Sequence, residues 1–250
     1  MINVDIILPT YNCQKYIDEA INSIISQTFK NWKLLIIDDA SQDNTKDIIK
    51  KYLNDKRIIL KELNKNKGAG FCRNLGLRNS NAKYLAFIDS DDIWKKNKLE
   101  EQIEFMESKN LDFTYTDFEI FKEVNGIKKK KEISIPTEFS YDLFIKKTSI
   151  CTSSMIIKRK TIGLTKFLNT KICEDYFFKC KLLQKCGVAV NLGKNLTLYR
   201  ITKNSLQSNK FRNLQWVWYI NKKYNKINYI KNFLSIFSIS INSLRKYGFK

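Results

Sequence analysis

The chain has 250 residues, 43% of them hydrophobic and 28% charged, with only 8 glycines and 2 prolines; this composition suits a globular domain and excludes fibrous and disordered classes. It contains no histidine, and its six cysteines (Cys13, Cys72, Cys151, Cys173, Cys180 and Cys186) form no C-x-x-C pair, which excludes histidine-based nucleophilic catalysis and argues against structural zinc. The formal charge of +20 is uneven: residues 1–100 carry 17 basic and 13 acidic side chains and residues 101–250 carry 28 and 12, a field that favours anionic partners.

In chain order, residues 2–8 form an apolar run ended by Pro9, and residues 16–27 then place Ile17, Ala20, Ile21, Ile24 and Ile25 on one helical face. The unit recurs. Lys33 to Ile37 is strand-like before Asp38-Asp39, and Ser41 to Asn44 supplies capping chemistry for a helix with Ile48, Ile49 and Leu53 inward. A third strand, about Ile58 to Leu63, precedes the glycine-bearing turn Lys67-Gly68-Ala69-Gly70 and a helix to about Asn79, and a fourth, Tyr84 to Ile88, runs into Asp89-Ser90-Asp91-Asp92. Three β-α units and a fourth strand require crossovers, hence a mostly parallel central sheet flanked by helices, with ligands at the carboxyl ends of its strands. The polar clusters fall at those ends.

Beyond residue 95 a helix is expected near Lys96 to Ser108 and a strand near Asp112 to Phe118. The run Lys128 to Lys131 beside Gly126 reads as an exposed hairpin tip. Residues 139–147 look helical, 154–157 strand-like and Asp175 to Cys186 helical. In the tail from Asn225 to Lys250, Ile227, Ile230, Phe233, Leu234, Phe237 and Ile241 recur at helical spacing. Lys and Asn interrupt this tail too often for a bilayer span, so it is expected to pack on the core or a partner subunit, with an interfacial membrane helix as the alternative. Trp216, Trp218 and Tyr219 are expected in the core or an acceptor channel. No apolar leader opens the chain, because Asp5, Pro9 and Asn12 interrupt the first run; a reduced, cytoplasmic protein is expected.

With no histidine, proton transfer falls to carboxylate, Lys, Tyr or Cys. Asp89, Asp91 and Asp92 crowd the end of an apolar strand, where they either ligate a hard cation such as Mg²⁺ or Mn²⁺ or form a polar turn that caps the next helix. Asp38-Asp39 shows the pattern more weakly: one accepts hydrogen bonds from a base or ribose while the other orders the turn, or the pair is simply a turn and cap; Asp43 reads as a cap. Arg73, at the start of the third helix, suits a phosphate or base unless it is an ordinary surface residue. Glu174-Asp175 opens a helix, either as cap and dipole partner or as a general base.

The ordered set Pro9-Thr10-Tyr11-Asn12, Asp38-Asp39-Ala40-Ser41-Gln42-Asp43, Asn66-Lys67-Gly68 through Arg73-Asn74, Asp89-Ser90-Asp91-Asp92 and Glu174-Asp175 resembles the family 2 glycosyltransferases of GT-A fold, densely over residues 1–118 and more thinly to about 210. The resemblance implies an α/β GT-A domain: a donor-binding part (1–118), an acceptor and base part (119–210) and a helical tail (211–250). It implies that Pro9, Thr10, Tyr11, Asp38, Asp39, Lys67, Gly68, Arg73, Asp89, Ser90 and Asp91 bind a nucleotide sugar. Thr10, Asp39 and Arg73 would hold base and ribose, Asp89 the ribose, Asp91 a Mn²⁺ or Mg²⁺ that bridges the diphosphate, and Asp175 would be the base of an inverting transfer. Tyr199 to Ser205 resembles the family's late Tyr-Arg loop, but Thr202 stands where many members have histidine, so Arg200 or Lys203 either neutralises the diphosphate in its place or belongs to a basic surface loop. The Arg212-Asn213-Leu214-Gln215-Trp216 stretch does not match the Gln-x-x-Arg-Trp of processive synthases.

The implied partners are a UDP-linked donor and a glycan or lipid-linked acceptor of surface polysaccharide or lipopolysaccharide synthesis, with peripheral contact to an anionic inner membrane face and no nucleic acid. A nucleotidyltransferase would need a phosphate-cradling glycine loop, which is missing. The contrasting class is a non-catalytic basic module that binds nucleic acid or anionic lipid, supported only by charge.

Overall fold

The computed structural model describes residues 3–124, 127–202 and 209–247. The first half alternates as the apolar runs require: β1 (Val4–Thr10), α1 (Ile17–Ile25), β2 (Trp32–Asp38), α2 (Thr45–Lys50), β3 (Ile58–Glu62), α3 (Ala69–Arg78) and β4 (Tyr84–Phe87). A two-residue β5 (Ile93–Trp94) then precedes α4 (Lys98–Ser108), and the chain continues through β6 (Phe113–Val124), β7 (Ile127–Ile133), β8 (Glu138–Ser140) and α5 (Tyr141–Lys147). A 3-10 turn at Thr152–Ser154 leads to β9 (Ile156–Lys158), α6 (Arg159–Ile162), α7 (Glu174–Cys186), β10 (Val188–Arg200), α8 (Lys210–Lys223) and α9 (Tyr229–Tyr247).

One sheet runs in the order β3-β2-β1-β4-β9-β6-β10-β5, with β7 on β6 and β8 on β10. β3, β2, β1 and β4 are parallel. β9 pairs antiparallel with both β4 and β6, so the direction reverses there and is restored at β6, which β10 joins in parallel. The sheet therefore carries the acidic loops of the first half and the long strands of the second on one continuous frame.

Every residue of β1 is buried, because helices cover both faces. Val4, Ile6 and Leu8 pack with Ile17, Ala20, Ile21 and Ile24 of α1 on one side. Ile7 lies on the other with Leu85, Phe87 and Phe178, where Phe167 stacks on Phe178 with ring centroids 3.9 Å apart. At α3 the helix comes so close to β1 that a Cβ on Gly76 would lie 2.6 Å from the Ile7 side chain.

Several expectations need correction. Pro9 does not end the first strand: β1 runs to Thr10, and Pro9 pairs with Ile37 on β2. β4 reaches only as far as Ile7, so the missing N–H of Pro9 has no partner strand to fail on that side. Leu53 is exposed because α2 stops at Lys50. The lysine run is not a tip but part of β7, paired with β6. On the exposed edge Lys130 bonds Glu119 at 2.9 Å, while Asn125 and Gly126, next to the run, lie outside the described residues. In α8 the core positions are Val217 and Ile220; Trp216 and Trp218 are half-buried and Tyr219 is exposed. The tail does pack on the core, through Ile227, Ile236 and Ile239, but with a different face from the one expected: Ile230, Phe233, Leu234 and Phe237 are exposed, and α9 turns Asn232, Ser235 and Ile239 inward.

Candidate functional site

Three loops meet at the carboxyl ends of β1, β2 and β4. At β1, Thr10 is buried and its carbonyl accepts the Asp39 N–H at 2.8 Å, while Tyr11 is exposed at the strand exit. Asn12 has φ 47°, in the left-handed region that Asn tolerates, and ties the loop to its neighbour by accepting from the Gln42 N–H and donating its own N–H to Ser41 Oγ. At β2, Asp38 is fully buried, with one carboxylate oxygen accepting from the Ser41 N–H at 2.9 Å and the other, Oδ1, without a hydrogen-bond partner; the buried Thr10 Oγ1 is likewise unpaired. Two unpartnered buried oxygens side by side on paired residues are unusual, and a ligand that hydrogen-bonds them would remove the cost.

Asp39 has a different task. Its two oxygens accept the backbone N–H groups of Lys67 and Gly68 at 2.7 and 2.8 Å, which clasps the turn before α3. Gly68 has φ 87°, a conformation that favours glycine. Lys67 lies over the Phe71 ring at the rim. Asp43 precedes the cap position of α2, which is Asn44, and accepts from the N–H of Thr45, the helix's first residue, and from that of Gln14.

Arg73 is not a surface arginine. Only 4% exposed, it spans two carboxylates, Asp89 at 2.5 Å and Glu174 at 2.6 Å. This pair of bonds fastens the end of β4 to the start of α7, 101 residues from α3 in the case of Glu174. Burial works against the guanidinium's charge, but Asp89 and Glu174 hold it firmly protonated. Burial raises Glu174, and Arg73 pulls it back.

Next along, Asp89 donates its N–H to Ser153 Oγ, Ser153 donates to Asp92, and Asp92 also accepts the Arg200 N–H at 2.9 Å. The Cys13 thiol donates to the Ser90 carbonyl, joining the β1 loop to the β4 loop. Arg200 donates Nε–H to the Asp91 carbonyl at 2.8 Å and lies between the rings of Tyr16 and Phe121, each 4.4 Å away, so it is a buried strut rather than a residue of a surface loop. Thr202 is described, whereas Lys203 lies outside the described residues.

The Asp91 carboxyl is raised to about 6, first by burial and then by the charge of Asp89. Asp92 is likewise pushed up, by burial first and then by Asp91 and Asp89. An added cation would relieve this repulsion. Among the described residues no set of three or more Cys, Asp or Glu side chains is gathered to hold a metal ion. A Mn²⁺ or Mg²⁺ here would thus take Asp91 from the protein and fill its shell from donor phosphates and water, which is how Mg²⁺ is commonly held. The site fits the ion on those terms.

Asp175 lies beside Glu174 at the head of α7, where Cys173 at φ 59° turns the chain into the helix. Its carboxylate accepts from Thr152 Oγ at 2.8 Å and from Lys179 Nζ at 2.6 Å. Burial would raise it, but Lys179, Arg73 and Thr152 overcome that and hold the group well below the usual carboxylate range. It is an ionised acceptor at neutral pH. Lys179, Thr152, Ser153 and the Arg73–Glu174 bridge were absent from the sequence-based site. Only Lys179 left a signal, its i, i+4 spacing from Asp175.

The model described as "Glycosyl transferase family 2" matches residues 5–166. The chain is 32% identical over 244 residues, 97% of it and 96% of the relative, to TuaG of Bacillus subtilis (strain 168), provisionally named a teichuronic acid biosynthesis glycosyltransferase. It is 34% identical over 239 residues, 93% of it and 92% of the relative, to WfgD of Escherichia coli, named a UDP-Glc:alpha-D-GlcNAc-diphosphoundecaprenol beta-1,3-glucosyltransferase. Its fold matches S. aureus TarS 1-349 in complex with UDP-GlcNAc with a TM-score of 0.74 at 20% identity, covering 98% of this chain and 73% of that one; it spans 44% of a longer TarS chain. The architecture is the GT-A arrangement expected from the motifs.

Proposed function

The chain belongs to glycosyl transferase family 2, and from that premise we propose that it moves a sugar, with inversion, from a UDP-linked donor to a hydroxyl of a lipid-linked glycan acceptor in surface polysaccharide or lipopolysaccharide assembly. The names of WfgD and TuaG and the UDP-GlcNAc complex of TarS support the donor and acceptor classes. In this reading the reaction runs at the inner face of the cytoplasmic membrane, where a lipid-linked acceptor would be held. The non-catalytic basic module gives way to the family membership.

In this reading residues 1–118 bind the donor and residues 119–210 present the acceptor and the base. Thr10 Oγ1 and Asp38 Oδ1 meet the base and ribose, with Pro9, Tyr11, Lys67, Gly68 and Ser90 lining the approach. Asp39 and Arg73, whose polar atoms are largely engaged within the protein, serve by holding the Lys67-Gly68 turn and the Asp89–Glu174 junction. A divalent cation at Asp91 would act as a Lewis acid on the departing diphosphate. Asp175 accepts the proton of the acceptor hydroxyl as its oxygen bonds the anomeric carbon and the carbon–diphosphate bond breaks. One displacement inverts the centre.

The observation that carries the proposal is the Arg73 bridge, which brings the Asp89–Asp91 loop and the Glu174–Asp175 helix start to one junction. A panel of nucleotide sugars scored for slow hydrolysis with and without Mn²⁺ tests it without knowledge of the acceptor. UDP-sugar turnover and saturable UDP binding, both lost in Asp91→Ala, are expected. Equal turnover in chelator would remove the cation from the mechanism, and UDP binding indifferent to Asp91→Ala would overturn the donor site.

A further inference from the structure

Asp175 is the last acidic residue of the chain: residues 176–250 contain 15 Lys and Arg and neither Asp nor Glu. Within that stretch α9 is inverted relative to an ordinary surface helix. Ile230, Phe233, Leu234 and Phe237 share one face at i, i+3, i+4 and i+7, and they are 77%, 64%, 53% and 59% exposed. Together they present on the order of 500 Å² of apolar surface, at the upper end of single patches on soluble monomers.

The inversion is fixed by specific bonds on the inner face. Ser235 donates to the Ile145 carbonyl at 2.6 Å, Asn221 donates to Asn232 Oδ1 at 3.0 Å, and Asn232 donates to the Trp218 carbonyl. Rotating α9 to bury the phenylalanines would break all three and strand buried polar groups. The outward apolar face is therefore the stable arrangement. Its rim is basic and aromatic. Lys222, Lys223 and Lys226 are exposed at the α8–α9 turn, and Lys222 lies over the ring of Tyr229, which begins α9 and is itself 65% exposed.

We propose that this outer face of α9, with the lysines of the α8–α9 turn, docks on the surface of an anionic lipid bilayer, the apolar side chains entering the acyl boundary and the lysines meeting headgroup phosphates. Charge selects this occupant. A second copy on the same face would bring two acid-free basic segments together, and like charges oppose that pairing, whereas an anionic bilayer complements both the lysines and the apolar stripe. No helix among the described residues is long and apolar enough to cross a membrane, so the contact is interfacial. The inference deepens the lipid-linked acceptor reading by naming the surface that reaches the lipid, but its observations need no donor or acceptor.

Co-sedimentation of the full chain with phosphatidylglycerol-rich and pure phosphatidylcholine vesicles tests it, alongside UDP binding, thermal unfolding and size-exclusion chromatography. The wild type is expected on the anionic vesicles and not on the zwitterionic ones. Phe233→Ser combined with Phe237→Ser, and separately Lys222→Gln with Lys223→Gln and Lys226→Gln, should each weaken vesicle binding at least tenfold while leaving UDP binding and unfolding temperature unchanged. Binding that ignores the phenylalanine pair overturns the proposal, and so does a wild-type dimer that the same pair dissociates. If vesicle binding follows expectation but no UDP-sugar is turned over, the docking surface stands and the donor assignment falls.

Discussion

Lys179 is the first of the groups that hold Asp175, the proposed base, ionised. The lysine is 3% exposed and divides its donors among the Ile150 carbonyl, Thr152 and Asp175, so it is held rather than mobile. Removing it leaves burial unopposed on one side of the carboxylate, and an opposite charge at this range commonly lowers a carboxyl by about 1–3 pH units. Lys179→Met should therefore raise the Asp175 carboxyl by about one unit or more, read by NMR titration of that carboxyl, with donor KM nearly unchanged. A carboxyl that titrates as in the wild type while kcat falls would reduce Lys179 to a packing residue. Lys98 poses the opposite case. It is fully buried against Gln102 and the Trp94 ring, and burial lowers its pKa to about 7. Between about 7 and the unfolded value near 10.4 the unfolded chain binds a proton that the folded chain lacks, so this residue's contribution to stability rises with pH. Subtracting the Lys98→Met curve from the wild type isolates that rise from the buried thiols, whose raised pKa values act the other way above about 9. A difference that stays flat from pH 7 to 10 would show that Lys98 is charged in the fold. The acidic clusters were visible in the sequence because they close apolar strands, but spacing alone left turn, cap and ligand roles open. Thr152 and Ser153 were not visible, since two hydroxyl residues in a polar loop carry no spacing that points 23 residues ahead to Asp175.

At the scale of elements, the β-α alternation of the first 90 residues was legible because each buried strand is a continuous apolar run bounded by turn residues. Beyond it, β5 with two residues and β8 with three are too short to show a period. β7 was misread because an edge strand needs no apolar face on its open side, so four lysines sit there as well as in a turn. The inversion of α9 was also invisible, since periodicity reveals that a helix has an apolar face and says nothing about which face the core receives. α3 was located correctly, but its glycines have a role that only packing shows. A Cβ on Gly70 would lie 2.2 Å from the Leu168 carbonyl and 3.1 Å from Glu174, so α3 could not approach the α7 head with any larger residue there. Alanine would gain about 1 kcal/mol of helix propensity, but a backbone overlap of that size commonly costs about 1–3 kcal/mol and displaces the helix. Gly70→Ala should accordingly lower the unfolding temperature and weaken UDP affinity, because the shift strains the Arg73–Glu174 bond one turn along. Unchanged affinity and stability would mean that the Leu168 loop yields freely.

Across the whole molecule, α7, which carries the proposed base, and the basic tail are joined by one buried polar knot. Tyr176, next to Asp175, donates its hydroxyl to Asn221 Oδ1 at 2.8 Å, and the same Asn221 on α8 donates to Asn232 on α9. Tyr176 is 4% exposed and Asn221 and Asn232 are fully buried, so none of these groups can turn to water for a substitute partner. The side chain that follows the proposed base is thus tied directly to the hairpin whose outer face is proposed to meet lipid, and both rest on a sheet that continues unbroken from the loops after β1, β2 and β4. Asn221→Leu preserves approximate volume but orphans the Tyr176 hydroxyl and Asn232 Oδ1, at about 1–3 kcal/mol for each stranded group. The expected outcome is a lower urea midpoint together with reduced kcat, because α7 loses the support that fixes its first turn. If the midpoint falls while kcat in the remaining folded protein is untouched, the tail is a separate prop and the base is positioned by Lys179 and Thr152 alone.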